Sequence, residues 1–501
     1  MTPSSGHLHF EFTHGPASKA PPRDPEKPMR LLFIADFSGR ANRGSKEPFA
    51  NRKPVRVDCD CFDEAMKNMH AALYLTPIGA TGERTTLKFD GLDNFHPDRL
   101  LKVISPLAEL LVVRKELDSS RAAAAAEKLH AILKLAAPTT QQLAEPPAPL
   151  AAETKRNVPA ESTEETLGRL LGKQPLEVPA QVVKSAEALD ATSIVQRILG
   201  SSVTPTPPPP VGLPGLIAAA ERELSERLRA LLSHPDFQAV EAAWRGLDFL
   251  IRRCPDEDRI SYFALDATQE ELAADLPGLH RMLRDSSWGG LIGGFQFGKT
   301  SSNLAVLGGI GALCRALGTS FLAGGVPQLL GCDNFYQHPD PDDWNQLPAP
   351  DVVQAWSELR RSDEAAYVGL ALPRFLLRQP YGKAGDPIEG FNFEEITDGS
   401  DHERFLWGNS ALLCAHLIAE GHVSGERIAA GNVSDLQLAQ FTERGGLALK
   451  PCAEAWLVDR AAEAIARQGL IAVQSFKGKD AAQVTGIHAI CHPEKASRVF
   501  S

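Results

Sequence analysis

The chain has 501 residues, too long for one ordinary hydrophobic core, and its 43% hydrophobic and 23% charged content excludes a fibrous or wholly unstructured protein. A net charge of −11 excludes a general nucleic-acid binder, because the chain offers a phosphate backbone no net basic field. No apolar run reaches the roughly 18 residues of a membrane span, and Met1–Lys27 is polar and Pro-rich without the apolar stretch of a secretory signal, so a cytoplasmic location is expected.

The first predicted element is Leu8-His-Phe-Glu-Phe12, an alternating strand with Phe10 and Phe12 on one face. After a spacer rich in Pro and Lys, the continuous apolar run Leu31–Ala35 predicts a buried strand that ends in Asp36-Phe-Ser-Gly-Arg40. A short strand at Val55–Val57, a helix near Phe62–Ala72 and an alternating strand Thr86–Phe89 follow. One helix is expected from His96-Pro-Asp98 onward, with Leu100, Leu101, Ile104, Leu107, Leu110 and Leu111 at core-facing spacing. The Ala-rich run Arg121–Ala137 continues as helix until Pro138 and closes a first, small α/β domain over residues 1–137.

Residues 138–212 are rich in Pro, Ala, Glu and Thr and run into Pro207–Pro210; they read as an extended linker that buries no core. Two apolar islands interrupt it, Leu167–Gly172 and Ile194–Gly200, sharing an Arg-apolar-Leu-Gly core. They read as docking peptides or as transient helices without a partner.

Residues 213–501 read as a larger α/β domain. Leu216, Ile217, Ala220, Leu224, Leu228 and Leu231 form one helical stripe, and Val240, Trp244, Leu247 and Leu250 a second beyond Ser233-His-Pro-Asp236. Apolar strands and helices then alternate through Ile260–Leu265, Gly290–Gly294, Ala305–Leu317, Ser320–Ala323 and Tyr367–Leu372, which predicts a mixed α/β architecture with a mostly parallel or mixed sheet between helices.

Chemical motifs are sparse. Gly293-Gly-Phe-Gln-Phe-Gly298-Lys299-Thr300 fits the written P-loop pattern, in which Lys299 would reach phosphates and Thr300 would hold Mg²⁺. Its interior Phe295-Gln-Phe297 alternates like a continuing strand, and only Asp266 offers the second-strand carboxylate, so the match reads as accidental and no cofactor is expected. His234, Asp236 and Asp248 suggest an acid/base set, but Ser233-His-Pro-Asp236 reads better as a helix stop and a capped restart. Eight scattered cysteines read as reduced thiols, and Cys59-Asp-Cys61 lacks further metal ligands at usual spacing. Glu394, Glu395, Asp398, Asp401 and His402 form an acidic run suited to a cation or to a basic neighbour. Arg374 and Arg378, four apart, are its expected partners in the same or a neighbouring subunit. Trp244, Tyr381, Phe391, Phe393 and Trp407 read as core or interface anchors.

The chain carries two sets of longer motifs. Met29–Arg40, Asn51-Arg-Lys-Pro54, Phe89–Asp98 and Leu107–Lys115 resemble the small subunit of the contractile sheath of type VI secretion (TssB, or VipA). His234–Phe237, Trp244–Leu247, Tyr367–Arg374, Pro380-Tyr-Gly382, Phe391–Glu395 and Leu406–Asn409 resemble the large subunit (TssC, or VipB). The resemblance implies a natural fusion of two proteins that usually pair, and a structural role without catalysis. It implies docking with like sheath subunits around an Hcp tube, attachment to baseplate components and recycling by a ClpV-type AAA+ unfoldase, with no nucleic-acid or membrane partner. It further implies Leu8, Phe10 and Phe12 as a joining strand, and Arg374, Arg378, Glu394, Glu395 and Asp398 as interface candidates. The large-subunit family continues beyond the position matching Phe500, so its C-terminal strands are expected to be missing and a non-propagating adaptor or terminator is the alternative; a P-loop nucleotide-binding protein is a second alternative.

Overall fold

The computed structural model describes residues 28–45, 47–75, 85–136, 212–443, 446–495 and 497–499. The segments up to Leu135 and from Leu216 onward cluster as one compact unit, and Ala136–Gly215 as another that lies almost wholly outside the described residues. Leu8–Phe12 and the islands 167–172 and 194–200 also lie outside them.

A nine-stranded sheet organises the first unit. Its spatial order is Gly431–Val433, Ala482–Val484, Ile471–Ser475, Val368–Leu372, Phe321–Gly325, Gly290–Phe297, Met29–Ala35, Ile260–Asp266 and Val55–Val57. The six strands from Ile471–Ser475 to Ile260–Asp266 are mutually parallel, and antiparallel strands flank them on both sides. Met29–Ala35 lies inside this sheet and not at its edge. It pairs from Met29↔Ile260 to Ala35↔Asp266 on one side and from Leu31↔Gly290 to Ile34↔Gly293 on the other. Two strands that follow one another in the C-terminal half are therefore separated by a strand from the N-terminal half.

The composition of that strand explains its place. A parallel strand covered on both faces needs an unbroken apolar run, and Leu31, Leu32, Phe33, Ile34 and Ala35 are all buried. Burying each of the four large ones contributes about 1.5–3 kcal/mol. Arg30, the one interruption, lays its guanidinium over the rings of Phe263 (4.3 Å) and Trp288 (4.4 Å).

Helix Pro235–Arg253 packs on helix Ala411–Ser424, which lies over the central strands, and Gly246 permits the approach. A Cβ there would meet Leu412 at 2.8 Å and the Phe33 ring at 3.5 Å. Helices Leu276–Leu283, Ser301–Leu317 and Pro350–Arg361 form another packed group, with Ser301–Leu317 over three strands of the sheet. N-terminal aromatics dock onto Pro235–Arg253 as well: Phe37 (4.9 Å) and Phe62 (5.6 Å) against Trp244, Phe95 (5.5 Å) and Phe89 (5.9 Å) against Phe237. The two halves thus share one core.

One expected helix divides. Residues from His96 onward form Pro97–Val103 and Ser105–Leu117, with Ile104 extended between them. Pro106 lacks an amide hydrogen and its ring clashes with the carbonyl four residues back, so it suits the first turn of a new helix and the apolar stripe continues while the helix does not.

Candidate functional site

Three charged networks tie the unit together, and the first lies at the carboxyl ends of the inserted strand and its neighbour. Asp36 accepts the amides of Arg40 (2.6 Å) and Ala41 (2.9 Å), fixing the turn; burial pushes its carboxyl up. Ser38 donates its amide (3.0 Å) and hydroxyl (2.7 Å) to Asp266. Arg40 reaches Asp266 and Glu271, both at 3.2 Å, and Arg52 donates to Glu271 (2.9 Å) and to the Asp266 carbonyl (3.0 Å). Both guanidinium groups are buried. Burial opposes the charge on Glu271, but hydrogen bonds from Arg52 and the Thr268 amide hold its carboxyl below the usual range. Glu271 also closes a capping box with Thr268. Trp244 Nε1 donates to the Phe37 carbonyl at 2.7 Å, and Asn42 to Asp236 at 2.7 Å. Each of these bonds joins the N-terminal region to the C-terminal one.

The second network is deeper. Arg378 grips Glu395 with two parallel bonds (2.7 and 2.9 Å) and donates Nε to Glu241 at 2.8 Å, where Arg245 also binds at 2.7 Å. Glu241 is fully buried, and Glu395 further accepts the Tyr381 amide at 2.8 Å. Burial disfavours the Glu241 charge, yet Arg378 and Arg245 hold its carboxyl low. Tyr381 lies under the Arg378 guanidinium (4.1 Å) and meets the His96 ring edge-on at 5.0 Å. Asp98 accepts the Glu389 amide at 3.2 Å, so the His96-Pro-Asp98 turn also rests on the C-terminal region.

The third network surrounds His402, whose ring is stacked between Tyr336 (4.9 Å) and Trp407 (4.6 Å). One ring nitrogen lies 3.2 Å from Glu454 and the other 3.2 Å from Lys450. Arg374 binds Glu454 through Nε (2.7 Å) and its amide (2.8 Å), and Glu403 through Nη2 (2.8 Å). Burial raises the Glu454 carboxyl, but Arg374 and then His402 outweigh it and hold it down to about 2. His402, Glu403 and Glu454 are close enough to share a metal ion. The cation they hold is the Arg374 guanidinium, which already spans both carboxylates.

The Gly293–Thr300 segment builds no phosphate cradle. Its first five residues lie in the strand Gly290–Phe297, and Gln296 and Phe297 pair with Gly324 and Gly325. Gly298 (φ +114°) is packed on Leu329, which a Cβ would meet at 2.6 Å. The Thr300 hydroxyl accepts the Asn303 amide at 3.1 Å as the cap of Ser301–Leu317, and Lys299 is exposed. His234 caps its helix by accepting the Asp236 amide at 3.3 Å, and Asp248 pairs with Arg252 at 2.6 Å, so these three do not converge. All eight cysteines are free thiols. Tyr381, Phe391, Phe393 and Trp407 are buried, as is Trp244.

Of the interface candidates, Arg378 and Glu395 are buried partners within the chain, and Arg374 is committed to Glu403 and Glu454. Glu394 is half-buried; its carboxylate accepts the Lys383 amide at 3.2 Å and its carbonyl Arg229 at 2.8 Å. Asp398 is exposed and accepts the Ser400 amide at 2.9 Å. Sequence reasoning missed Arg40, Arg52, Glu241, Glu271 and Glu454. Arg40 and Arg52 stood in the motifs Met29–Arg40 and Asn51–Pro54 without an assigned role, and Glu271 had the Thr268-x-x-Glu271 spacing of a capping box.

Beside the third network, the hairpin Ala439–Glu443/Gly446–Lys450 has its own small core of Leu376, Ile396, Phe405, Trp407, Ala439 and Phe441. On it Leu447 (66%) and Leu449 (46%) are exposed. Both leucines lie on Gly446–Lys450, whose one described pairing is with Ala439–Glu443.

A sheet completed by a distant strand and charged networks turned inward define a structural protein of mixed α/β fold. Residues 215–490, more than half of the chain, match the family described as EvpB/VC_A0108, tail sheath N-terminal domain (VipB). Residues 11–145 match the family described as Type VI secretion system, VipA, VC_A0107 or Hcp2. The type VI secretion system sheath protein TssC1 of Pseudomonas aeruginosa is 27% identical over 333 residues, covering 61% of this chain. The chain spans 65% of that curated relative's length. The chain belongs to the type VI secretion tail sheath (VipB) family and carries a VipA-type region ahead of it. Among the described residues no helix is long and apolar enough to cross a membrane.

Proposed function

We infer that the chain is a structural subunit of a type VI secretion sheath or sheath-like assembly, acting in the cytoplasm by docking with like subunits around an Hcp tube. One observation carries this reading: the VipA-type strand Met29–Ala35 is a central strand of the VipB-type sheet, so a single chain contains the paired unit that the family otherwise makes from two proteins. The limits are those of the domain reading above: a small-subunit-like region over 1–137, a linker over 138–212 and a large-subunit-like region over 213–501. Sheath work is stored in contacts between rigid subunits that have two packings, so a rigid internal sheet and an adhesive surface suffice. Leu447 and Leu449 are among the exposed apolar groups that would supply such contacts, with Glu394 and Asp398 as polar candidates beside the buried networks. Baseplate components and a ClpV-type unfoldase are further partners under this reading.

Negative-stain microscopy of the purified chain, alone and with a preformed Hcp tube, tests it. Filaments or tube-bound rings are expected. Discrete particles that bind only sheath ends would mark an adaptor or terminator, and monomers indifferent to tube and sheath would refute the reading.

A further inference from the structure

Two helices start with the same three residues, His96-Pro97-Asp98 in the N-terminal region and His234-Pro235-Asp236 in the C-terminal one. In both the histidine is the cap: its Nδ1 accepts the amide of the aspartate two residues on, at 3.2 Å for His96 and 3.3 Å for His234. In both the aspartate reaches across to the other region. Asp98 accepts the Glu389 amide at 3.2 Å, and Asp236 accepts the Asn42 side-chain amide at 2.7 Å. Asn42 is itself fixed to the backbone of Tyr74, accepting its amide at 2.6 Å and donating to its carbonyl at 3.0 Å. Each region therefore holds the other through an aspartate that a histidine positions.

The same carboxylates lie close to those rings, Asp98 at 3.6 Å from Nδ1 of His96 and Asp236 at 3.9 Å from Nδ1 of His234. A ring that accepts an amide at Nδ1 is neutral and carries its proton on Nε2, whereas a protonated ring donates from both nitrogens and cannot cap. Its new Nδ1–H then needs an acceptor, and the aspartate is within reach. We propose that the two His-Pro-Asp turns form a paired proton switch on the seam between the regions: with neutral rings Asp98 and Asp236 hold the opposite region, and with protonated rings they turn back to their own histidines. His96 is also faced by Asp386, 3.9 Å from Nε2, and by the Tyr381 ring that carries the Arg378 guanidinium. Around His234, Asp236 is the one carboxylate within 4 Å among the described residues. The segments packed near that turn bring Arg43, Glu403 and Arg404, which bind Ser38, Arg374 and Asp401. Imidazole changes charge between about pH 5 and pH 8, so the switch belongs to mildly acidic conditions. The inference does not rest on the sheath reading.

Hydrogen exchange of the full-length chain, read by mass spectrometry at pH 7.5 and pH 5.5 with labelling times scaled to the intrinsic rate, tests it. Peptides containing Asp98, Asp236 and Glu389 should lose protection about fivefold on acidification, the worth of one helix cap, while Leu31–Ala35 and Ile260–Asp266 keep theirs. Asparagine caps a helix without titrating. His96→Asn should therefore abolish the response at Asp98 and Glu389 and leave it at Asp236; His234→Asn should abolish it at Asp236 alone. No response in the parent chain would overturn the proposal whatever the variants do. So would a response that persists in the His96→Asn/His234→Asn chain or spreads evenly over the central strands.

Discussion

Replacing Glu454 by Gln isolates the energy stored in the third network. The carboxyl titrates near 2 in the folded chain because Arg374 donates to it twice and His402 lies 3.2 Å away, whereas in an unfolded chain it would titrate near about 4.3. A depressed carboxyl binds fewer protons folded than unfolded, so its contribution is complete above the unfolded value and lost as pH falls through the folded one. The difference corresponds to about 3 kcal/mol at pH 7, about half of it gone at pH 3 and nearly all at pH 2. Urea unfolding of the parent and Glu454→Gln chains, followed by circular dichroism from pH 7 to pH 2.5, measures it. The stability gap should be about 3 kcal/mol at neutral pH and close as the solution is acidified. A gap that stays constant with pH would show that the variant loses packing alone and would refute the argument; no gap at pH 7 would show that the pair contributes nothing.

Three further outcomes follow from the same geometry. Phe33→Ala empties the centre of the inserted strand beneath Gly246 and should cost about 3–5 kcal/mol in urea unfolding, with loss of assembly in sedimentation. Arg378→Met leaves Glu395 buried without its guanidinium partner and Glu241 with Arg245 alone, and should cost about 3–5 kcal/mol; adding Glu395→Gln should recover much of that, and failure to recover would assign the loss to shape rather than charge. Leu447→Lys with Leu449→Lys should leave stability within about 0.5 kcal/mol of the parent while reducing pelleted assemblies, because both side chains face solvent.

The elements were more legible than their arrangement. An unbroken apolar run marks Leu31–Ala35 as a buried strand, but nothing in Ile260–Asp266 or Gly290–Phe297 signals that they leave a gap for it. Parallel pairing carries no local turn signal, so neighbours distant in sequence stay invisible. Proline chemistry at Pro106 was present in the sequence, yet the continuous apolar stripe concealed the break at Ile104. Arg374 and Arg378 suggest one helical face when counted four apart. They flank the short strand Phe375–Leu376 instead, where four residues span about 13 Å, so each enters a different network. The acidic run meets Arg378 within the chain through Glu395, while Glu454 and Glu241 sit in segments whose local sequence shows no reason to hold a charge.

The order of synthesis works against this sheet. Met29–Ala35 leaves the ribosome first, but the second of its two neighbours, Gly290–Phe297, is finished about 260 residues later, which at 5–20 residues per second is roughly 13–50 s. For most of that interval, until Ile260–Asp266 has emerged, a strand that is apolar but for Arg30 has no mate in its own chain. The fusion of the two regions thus leaves this strand exposed during synthesis, whatever the endurance of the finished protein.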